Sequence, residues 1–194
     1  MRSKTILRGL LKRWRQLIAC LVAALMLIPV PAMALTFTSG WQSVISTSGG
    51  PTPPTPSVTD STVGADDNMF VNYGTYQGST AKAQSQITLD RNISVPSAGE
   101  AIKIASAFAT DLSNGAIHVS VKVLDGSGNT IAQPINFGGS ASGTGFSTLS
   151  ENDQVTQSYN GGTYTLEVKI RYETNNKVGG WKNKSIHHFE FLGL

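Results

Sequence analysis

The chain has 194 residues, a formal net charge of +3 and a single cysteine, Cys20. Six of its fifteen basic residues precede Leu17, and all twelve acidic residues follow Ala34, so the chain beyond Ala34 carries nine basic and twelve acidic residues, a net charge of −3. This balance gives no support to nucleic-acid binding. Because Cys20 precedes Ala34, the chain beyond that point can form no disulfide, thiolate catalyst or cysteine metal site.

Residues 1–34 have the composition of a secretory signal peptide: a basic start, an apolar run from Leu17 to Val30, and the small-residue site Ala32-Met33-Ala34. We expect cleavage after Ala34. The apolar run is shorter than the ~20 residues of a membrane-spanning helix, so no membrane segment is expected after cleavage. Lipidation of Cys20, in the lipobox-like Leu17 to Cys20, is the disfavoured alternative because basic residues directly precede that motif. The sequence therefore predicts a bacterial protein that is secreted or periplasmic.

The first predicted element beyond the leader is one strand, or a pair of strands, at residues 35–48. Residues 49–65 follow as a connection rich in proline and glycine, which favour extended backbone outside any sheet. Two arrangements of the first element remain open. It folds back and closes the same sandwich, which we favour, or it reaches across to another copy of the chain as a detachable arm.

Residues 66–194 predict a single domain of short strands, each rich in β-branched or aromatic residues and bounded by turn residues. A helix over Ala98 to Ala109 is a weaker alternative, based on the alanine content there. Nine or ten strands without intervening helices predict an all-β fold, an antiparallel β-sandwich of the jelly-roll type. The predicted strands are Met69 to Tyr76, Ser85 to Val95, Glu100 to Thr110, Ala116 to Leu124, Thr130 to Phe137, Gly145 to Leu149, Gln154 to Tyr159, Gly162 to Glu173 and Ser185 to Leu192.

The clearest strand pattern is Gly162 to Glu173, GTYTLEVKIRYE, where apolar and polar side chains alternate without a break. Period-two alternation is typical of a strand with one face in a core and the other in water. The glycines of Asn160 to Gly162 predict a tight turn before it. A second hairpin is predicted where Asp125 to Asn129 joins the strand Ala116 to Leu124 to the strand from Thr130.

Three stretches carry a resemblance to a known group: Ile93 to Gly99, Val119 to Ile131 and Asn160 to Ile170. In the order of these strands and turns, Ile87 to Leu192 resembles the jelly-roll sandwiches of secreted bacterial proteins and of carbohydrate-binding modules of the galactose-binding type. The resemblance implies a fold more than a function, and no ligand residue carries over from it. It also implies that sugars would be bound by loops or one sheet face, with aromatic platforms and often a structural calcium.

The candidate ligand-binding residues lie in the polar loop Thr174 to Lys184: Asn176, Lys177, Trp181 and Lys182. A tryptophan among amide and ammonium donors has the chemistry of a sugar platform, since its flat face packs on C–H groups while the donors bind hydroxyls. The alternative, weighted slightly higher, is that Trp181 closes the end of the core, because tryptophan is usually well buried.

The candidate metal ligands are Asp66, Asp67 and Asp125, which lie at predicted strand ends. Calcium takes six to eight oxygen ligands, which such carboxylates and nearby backbone carbonyls can supply. The alternative, which we favour, is that these residues are ordinary turn formers, because DGSGN lacks the spacing of a known calcium loop. A structural calcium is thus the less favoured expectation, and the sequence indicates no other cofactor.

The sequence contains none of the usual nucleophile, zinc-protease, aspartic-protease or phosphate-loop motifs. His187 and His188 are adjacent on a strand and therefore point to opposite faces, and together with His118 we expect them at the surface. The favoured function is a secreted, non-catalytic binding module for a carbohydrate or cell-surface polymer. The alternatives are a self-associating structural subunit of an extracellular matrix or fibre and, as a minority interpretation, a glycoside-active enzyme with two carboxylates.

Overall fold

The computed structural model describes residues 34–48, 53–78, 82–174, 179–182 and 186–194. Ala34–Leu194 forms one compact unit, and its described residues contain thirteen strands in two antiparallel sheets and no helix. The all-β sandwich prediction is thereby confirmed, with more strands than expected. None of these residues forms a helix that is long and apolar enough to span a membrane. The predicted signal peptide lies outside the described residues.

The strands in chain order are β1 (Thr36–Phe37), β2 (Gln42–Ser48), β3 (Ser57–Val63), β4 (Asp66–Asn72), β5 (Tyr76–Gly78), β6 (Gln84–Val95), β7 (Glu100–Ser113), β8 (Gly115–Leu124), β9 (Thr130–Ala141), β10 (Ser147–Tyr159), β11 (Gly162–Thr174), β12 (Gly179–Lys182) and β13 (Ile186–Gly193). The first sheet, sheet A, has the order β1-β6-β11-β8-β9, with β2 also paired to β6. The second, sheet B, has the order β3-β4-β13-β7-β12-β5, with β10 paired to the other edge of β7.

Sheet A is built around β11, which lies between β6 and β8 in continuous antiparallel register. Leu166, Val168, Ile170 and Tyr172 are fully buried, while the alternate side chains face solvent. The period-two pattern therefore identified this strand and its core face correctly. Each inward residue meets inward residues of both neighbours in register, for example Val168 beside Leu89 and Val121.

Sheet B is built around β7, which pairs with β10 along its whole length and with β13 and β12 on the opposite side. The helix alternative for Ala98 to Ala109 is wrong. Ile102, Ile104 and Phe108 alternate into the core, and the intervening alanines face outward. A helix would have spread the same apolar side chains over several faces, whereas the strand places them all between the sheets.

Both β1 and β2 pair with β6 of the same chain, as in the arrangement favoured from the sequence. The predicted connection 49–65 is wrong in its second half, because Ser57–Val63 forms β3 and pairs with β4 at the edge of sheet B. Pro56 is the last proline of the segment, and the strand after it is rich in β-branched residues and has every backbone donor that a sheet needs. The strands predicted at Gly145 to Leu149 and Gln154 to Tyr159 are one continuous strand, β10.

Aromatic residues fill one end of the core around His187, contrary to the expectation that this histidine lies at the surface. Its ring is fully buried, 4.7 Å from the ring of Phe108 and 5.9 Å from that of Tyr73. Its Nε2 is 2.8 Å from the hydroxyl of Tyr172, and its Nδ1 has no hydrogen-bond partner among the residues that the structure describes. Burial lowers the pKa of His187 from 6.5 to about 3, because the apolar surroundings disfavour the charged ring.

We expect His187 to make the fold sensitive to acid. The pKa of His187 is lower in the folded state than in the unfolded state. The free energy of unfolding therefore keeps its full value above pH ~6.5 and decreases as the pH falls toward the folded pKa of about 3. Between pH 7 and pH 4 the free energy of unfolding should fall by about 3 kcal/mol through this group. Urea unfolding at the two pH values measures the loss, and His187→Phe should show a smaller one. Equal losses in both proteins would contradict the assignment.

Candidate functional site

Trp181, the predicted platform, is a core residue. Its side chain is 0% exposed, its ring centroid lies 4.7 Å from that of Tyr76 and 5.2 Å from that of Tyr172, and its Nε1 donates to the carbonyl of Gly74 at 3.0 Å. An indole that is completely buried offers no face to a sugar. The platform interpretation is therefore wrong, and the core alternative is right, because β12 is an inner strand of sheet B between β5 and β7.

The other predicted ligand residues do not form a site around Trp181. Asn176 and Lys177 lie outside the described residues. Lys182 is exposed, and its ammonium stands 4.0 Å from the ring centre of Phe146. Lys182 thus faces outward from the same strand that directs Trp181 into the core.

The three predicted calcium ligands are in different surroundings. Asp125 is in the turn between β8 and β9, where it accepts hydrogen bonds from the backbone of Ser127 and Asn129, and the bonds from Asn129 in particular lower the pKa of Asp125. Asp66 is exposed at the start of β4, whereas Asp67 beside it is buried. Among the described residues, no three His, Cys, Asp or Glu side chains are grouped to hold a metal ion. The turn interpretation accounts for Asp125.

Asp67 belongs to an ion-pair cluster that holds β1 and the segment before β2 against the rest of the sandwich. Its Oδ2 lies 2.5 Å from Nη1 of Arg91 and accepts a hydrogen bond from Nε1 of Trp41 at 2.9 Å. The Arg91 guanidinium also donates through Nε to the carbonyl of Ser39 and lies 4.4 Å from the ring centre of Phe37. The cluster therefore ties β1 and the segment before β2 to β4 and β6, which is a structural role for Asp67.

The outer face of sheet B carries an aromatic pair beside a row of alanines. Phe70 of β4 is 41% exposed and stacks on His188 of β13, with ring centroids 4.5 Å apart and an interplanar angle of 9°. His188 Nε2 is hydrogen-bonded to Oδ1 of Asn68 at 3.0 Å, which holds the imidazole in place. Because the two rings are parallel and belong to neighbouring strands, the second face of the imidazole is directed toward the next strand, β7, where Ala107 is its partner in register.

Because the outward alanines of β7 are smaller than most of their neighbours on β13 and β10, we infer a shallow channel along β7, which we call the alanine trough. Its floor is the outward face of β7, where three successive outward positions are alanines of intermediate exposure. One wall comes from β13 and the other from β10, whose side chains are exposed and in register with the floor. The trough is defined by Ala105, Ala107 and Ala109 on the floor, His188 and Glu190 on one wall, and Ser150, Asn152 and Gln154 on the other.

The dimensions of the trough follow from strand geometry. Its walls are two strand spacings apart, about 10 Å, and its floor from Ala105 to Ala109 is about 14 Å long. Glu190 is the single carboxylate among its defining residues and lies 3.4 Å from the ammonium of Lys103. The trough can therefore accept a narrow, flat ligand with one apolar face and hydroxyl groups along its edges, because the walls supply an imidazole, amides and a hydroxyl.

Sequence reasoning missed this site, although one signal was available. The alternation from Ala105 to Ala109, ASAFA, places only alanines on one face of the strand predicted at Glu100 to Thr110. Such a face lets another molecule approach the sheet closely. The walls could not have been inferred, because His188 and Asn152 meet Ala107 only through tertiary pairing.

A pair of carboxylates on the other sheet bears on the enzyme alternative. Asp90 of β6 and Glu167 of β11 are partners in register on the outer face of sheet A. Burial, and to a lesser degree the charge of Glu167, raises the pKa of Asp90. Glu167 lies 3.4 Å from the ammonium of Lys122, so its charge is already paired. A glycosidase needs a second carboxylate that is free to act as nucleophile or base, and Glu167 is a poor candidate for that role.

No protein-family model and no curated protein sequence matches this chain. Solved structures similar to it include the enzymatically active domain of tailspike protein 4 from bacteriophage CBA120, at 16% identity and a TM-score of 0.39, which covers 80% of this chain and 20% of the tailspike chain. The chain thus spans about a fifth of that tailspike structure.

Carbohydrate-binding modules are also among the similar structures. TmCBM61, solved with β-1,4-galactotriose, has 12% identity and a TM-score of 0.30 over 80% of this chain and 88% of its own. The CBM22-1 xylan-binding domain of Paenibacillus barcinonensis Xyn10C has 16% identity and a TM-score of 0.28 over 80% and 86%. This is the group that the sequence resembles. At these values no individual residue can be equated between the chains.

Proposed function

We propose that this protein is exported and acts as a non-catalytic carbohydrate-binding module that holds a neutral glycan chain in the alanine trough. The observation that carries the proposal is an apolar floor of three alanines between an aromatic wall and an amide wall on one exposed sheet face. Export is supported by the signal-peptide composition of residues 1–34. Absence of catalysis is supported by the trough itself, where Glu190 is the one carboxylate and is paired with Lys103.

The chemistry of the trough matches a sugar ring on both of its surfaces. A pyranose has C–H groups that pack on apolar side chains, and hydroxyl groups around its rim that need donors and acceptors. Alanine floors let the ring approach the sheet closely, and the imidazole of His188, backed by Phe70, supplies a flat side wall. Asn152 and Gln154 each provide both donors and acceptors for hydroxyls. A neutral chain is favoured because the trough offers no unpaired charge to an ionic ligand.

We expect Ala107→Leu to weaken glycan binding strongly without unfolding the protein. A leucine at the centre of the floor fills the space between His188 and Asn152, while the backbone and the core face of β7 are unchanged. Binding should weaken by at least about tenfold, the effect of losing roughly 1.4 kcal/mol of contacts. The measurement is a glycan-array screen of the purified protein, with and without calcium, followed by titration of any neutral sugar that binds.

The matched control is Ala116→Leu, because Ala116 is also a half-exposed outward alanine in mid-sheet, but on sheet A. That variant should bind as the unaltered protein does, and both variants should keep the same thermal midpoint. A well-folded protein that binds no sugar on the array would overturn the proposal. Binding that survives Ala107→Leu but not Ala116→Leu would move the site to the opposite sheet.

A further inference from the structure

A second concave surface lies on the outer face of sheet A, on the side of the sandwich opposite the trough. It is a depression of about 200 Å³ lined by His118, Val119, Ser120, Asn136, Lys169 and Arg171. Two adjacent rows of the sheet form it: Lys169, Ser120 and Asn136 are in register across β11, β8 and β9, as are Arg171, His118 and Gly138. The depression thus gathers cationic and polar side chains from three strands.

A glycine keeps the second row open at its end. Gly138 lies beside His118, and a Cβ atom at Gly138 would be 3.5 Å from Nδ1 of that histidine. Any larger side chain there would extend over the imidazole and toward Asn136, two positions away on the same face of β9. The absence of a side chain at Gly138 therefore contributes directly to the space between the cations and the edge of the sheet.

The two cations of the depression are weakly compensated. Lys169 and Arg171 point to the same face of β11, and Lys169 has no ion-pair partner within the described part of the chain. The Nε of Arg171 makes no hydrogen bond within the described part of the chain, and its ion pair with Glu173 is long, at 3.8 Å. Because Lys169 is not ion-paired there and Arg171 is held only by this long contact, the charge of the surface attracts an anionic oxygen.

The carboxylates around the depression limit the charge of its ligand. Glu173 lies 4.0 Å from Nε2 of His118, and Glu167 is paired with Lys122. Asp90 of β6 is the partner in register of Glu167 of β11. These three groups and the net charge of −3 beyond Ala34 would repel a polyanion. A single carboxylate suits the site better, since arginine binds it through two parallel hydrogen bonds.

We propose that this depression binds the carboxylate of a uronic acid sugar. Lys169 and Arg171 hold the carboxylate, and Ser120 and Asn136, in the adjoining positions of the row, bind the hydroxyl groups of the same ring. The hydroxyl-binding pair is what favours an acidic sugar over an acidic peptide. The proposal does not rest on the glycan trough, because the two surfaces are on opposite sheets and share no residue.

The test is a titration of the purified full-length protein with sodium glucuronate, followed by NMR chemical shifts or calorimetry. Glucose, acetate and inorganic phosphate are the comparison ligands: the first lacks the charge, the second lacks the hydroxyl groups, and the third is an anion of different shape. Saturable glucuronate binding, at least about tenfold tighter than that of each comparison ligand, is the expected result. Equal binding of phosphate or acetate would reduce the site to an unspecific anion patch and overturn the proposal.

Variants locate the site and separate it from the trough. Lys169→Gln, Arg171→Gln and Gly138→Val should each weaken glucuronate binding by about tenfold or more. Lys122→Gln, which removes a cation from the same face but outside the depression, should leave it unchanged, as should Ala107→Leu in the trough. Loss of binding in Lys122→Gln equal to that in Lys169→Gln would show that general charge is responsible, against the proposal. A failure of neutral-glycan binding would leave this result intact.

Discussion

Replacing Trp181 by alanine is expected to lower the free energy of unfolding by about 3–5 kcal/mol, the range for deleting a large buried aromatic side chain. The loss has three parts in this protein. A cavity opens beneath β12, the rings of Tyr76 and Tyr172 lose their partner, and the carbonyl of Gly74 loses its donor. Neighbours are held by their own strands, so the cavity cannot close by simple collapse.

Urea unfolding followed by circular dichroism measures this loss without relying on tryptophan fluorescence. Phe70→Ala is the matched control, because Phe70 is an aromatic residue of the same sheet that is 41% exposed, and it should cost less than about 1.5 kcal/mol, the most that an aromatic pair adds. Glycan binding should respond in the opposite order: Phe70→Ala weakens it, and folded Trp181→Ala retains it. A Trp181→Ala protein of unchanged stability that no longer binds sugar would restore the platform interpretation.

Replacing Asp67 by alanine is expected to cost about 3–5 kcal/mol, because it leaves the charge of Arg91 buried without its partner. Asp67 is 0% exposed and Arg91 is 6% exposed, so water cannot take over the lost contact. Trp41 also loses the acceptor of its Nε1 hydrogen. The segment before β2 should loosen, which amide hydrogen exchange in β1 and β2 would detect.

Two further variants show whether the cost comes from the unpaired charge. Asp60→Ala removes a carboxylate that is 3.9 Å from the same Nη1 atom but about half exposed, and should cost at most about 1 kcal/mol. The double variant Asp67→Leu with Arg91→Met should be more stable than Asp67→Ala alone, since no charge then remains buried. If the double variant is the least stable of all, packing and not electrostatics explains the cluster.

The local patterns of this chain were sufficient to predict most of its strands and its fold class. Period-two alternation placed β11 and β8 correctly and assigned their core faces, because each residue's side is dictated by the strand geometry alone. The strand predicted at Glu100 to Thr110 is likewise present as β7, and the weaker helix alternative there is wrong. β3 was missed because the prolines before it dominated the composition of 49–65, although they end at Pro56.

The sites depended on information that is not local. In the sequence, Trp181 stands among polar residues, yet the pairing of β12 between β5 and β7 buries it. Gly180 permits that pairing, since a Cβ atom there would clash with the carbonyl oxygen of Tyr76. The polar composition around Trp181 suggested a platform, the usual burial of tryptophan favoured the core, and strand order decided for the core.

By itself the sequence determined that this is a β-sandwich with one core, because alternation and turn chemistry are properties of neighbouring residues. It also determined the leader-like composition of residues 1–34. Only the tertiary structure decided which side chains share a surface. Ala107, Asn152 and His188 meet in the trough, and Ser120, Asn136 and Lys169 meet in the depression, through strand pairings between residues far apart in the chain. Such registers are selected by the packing of the whole core, which no single stretch of sequence contains.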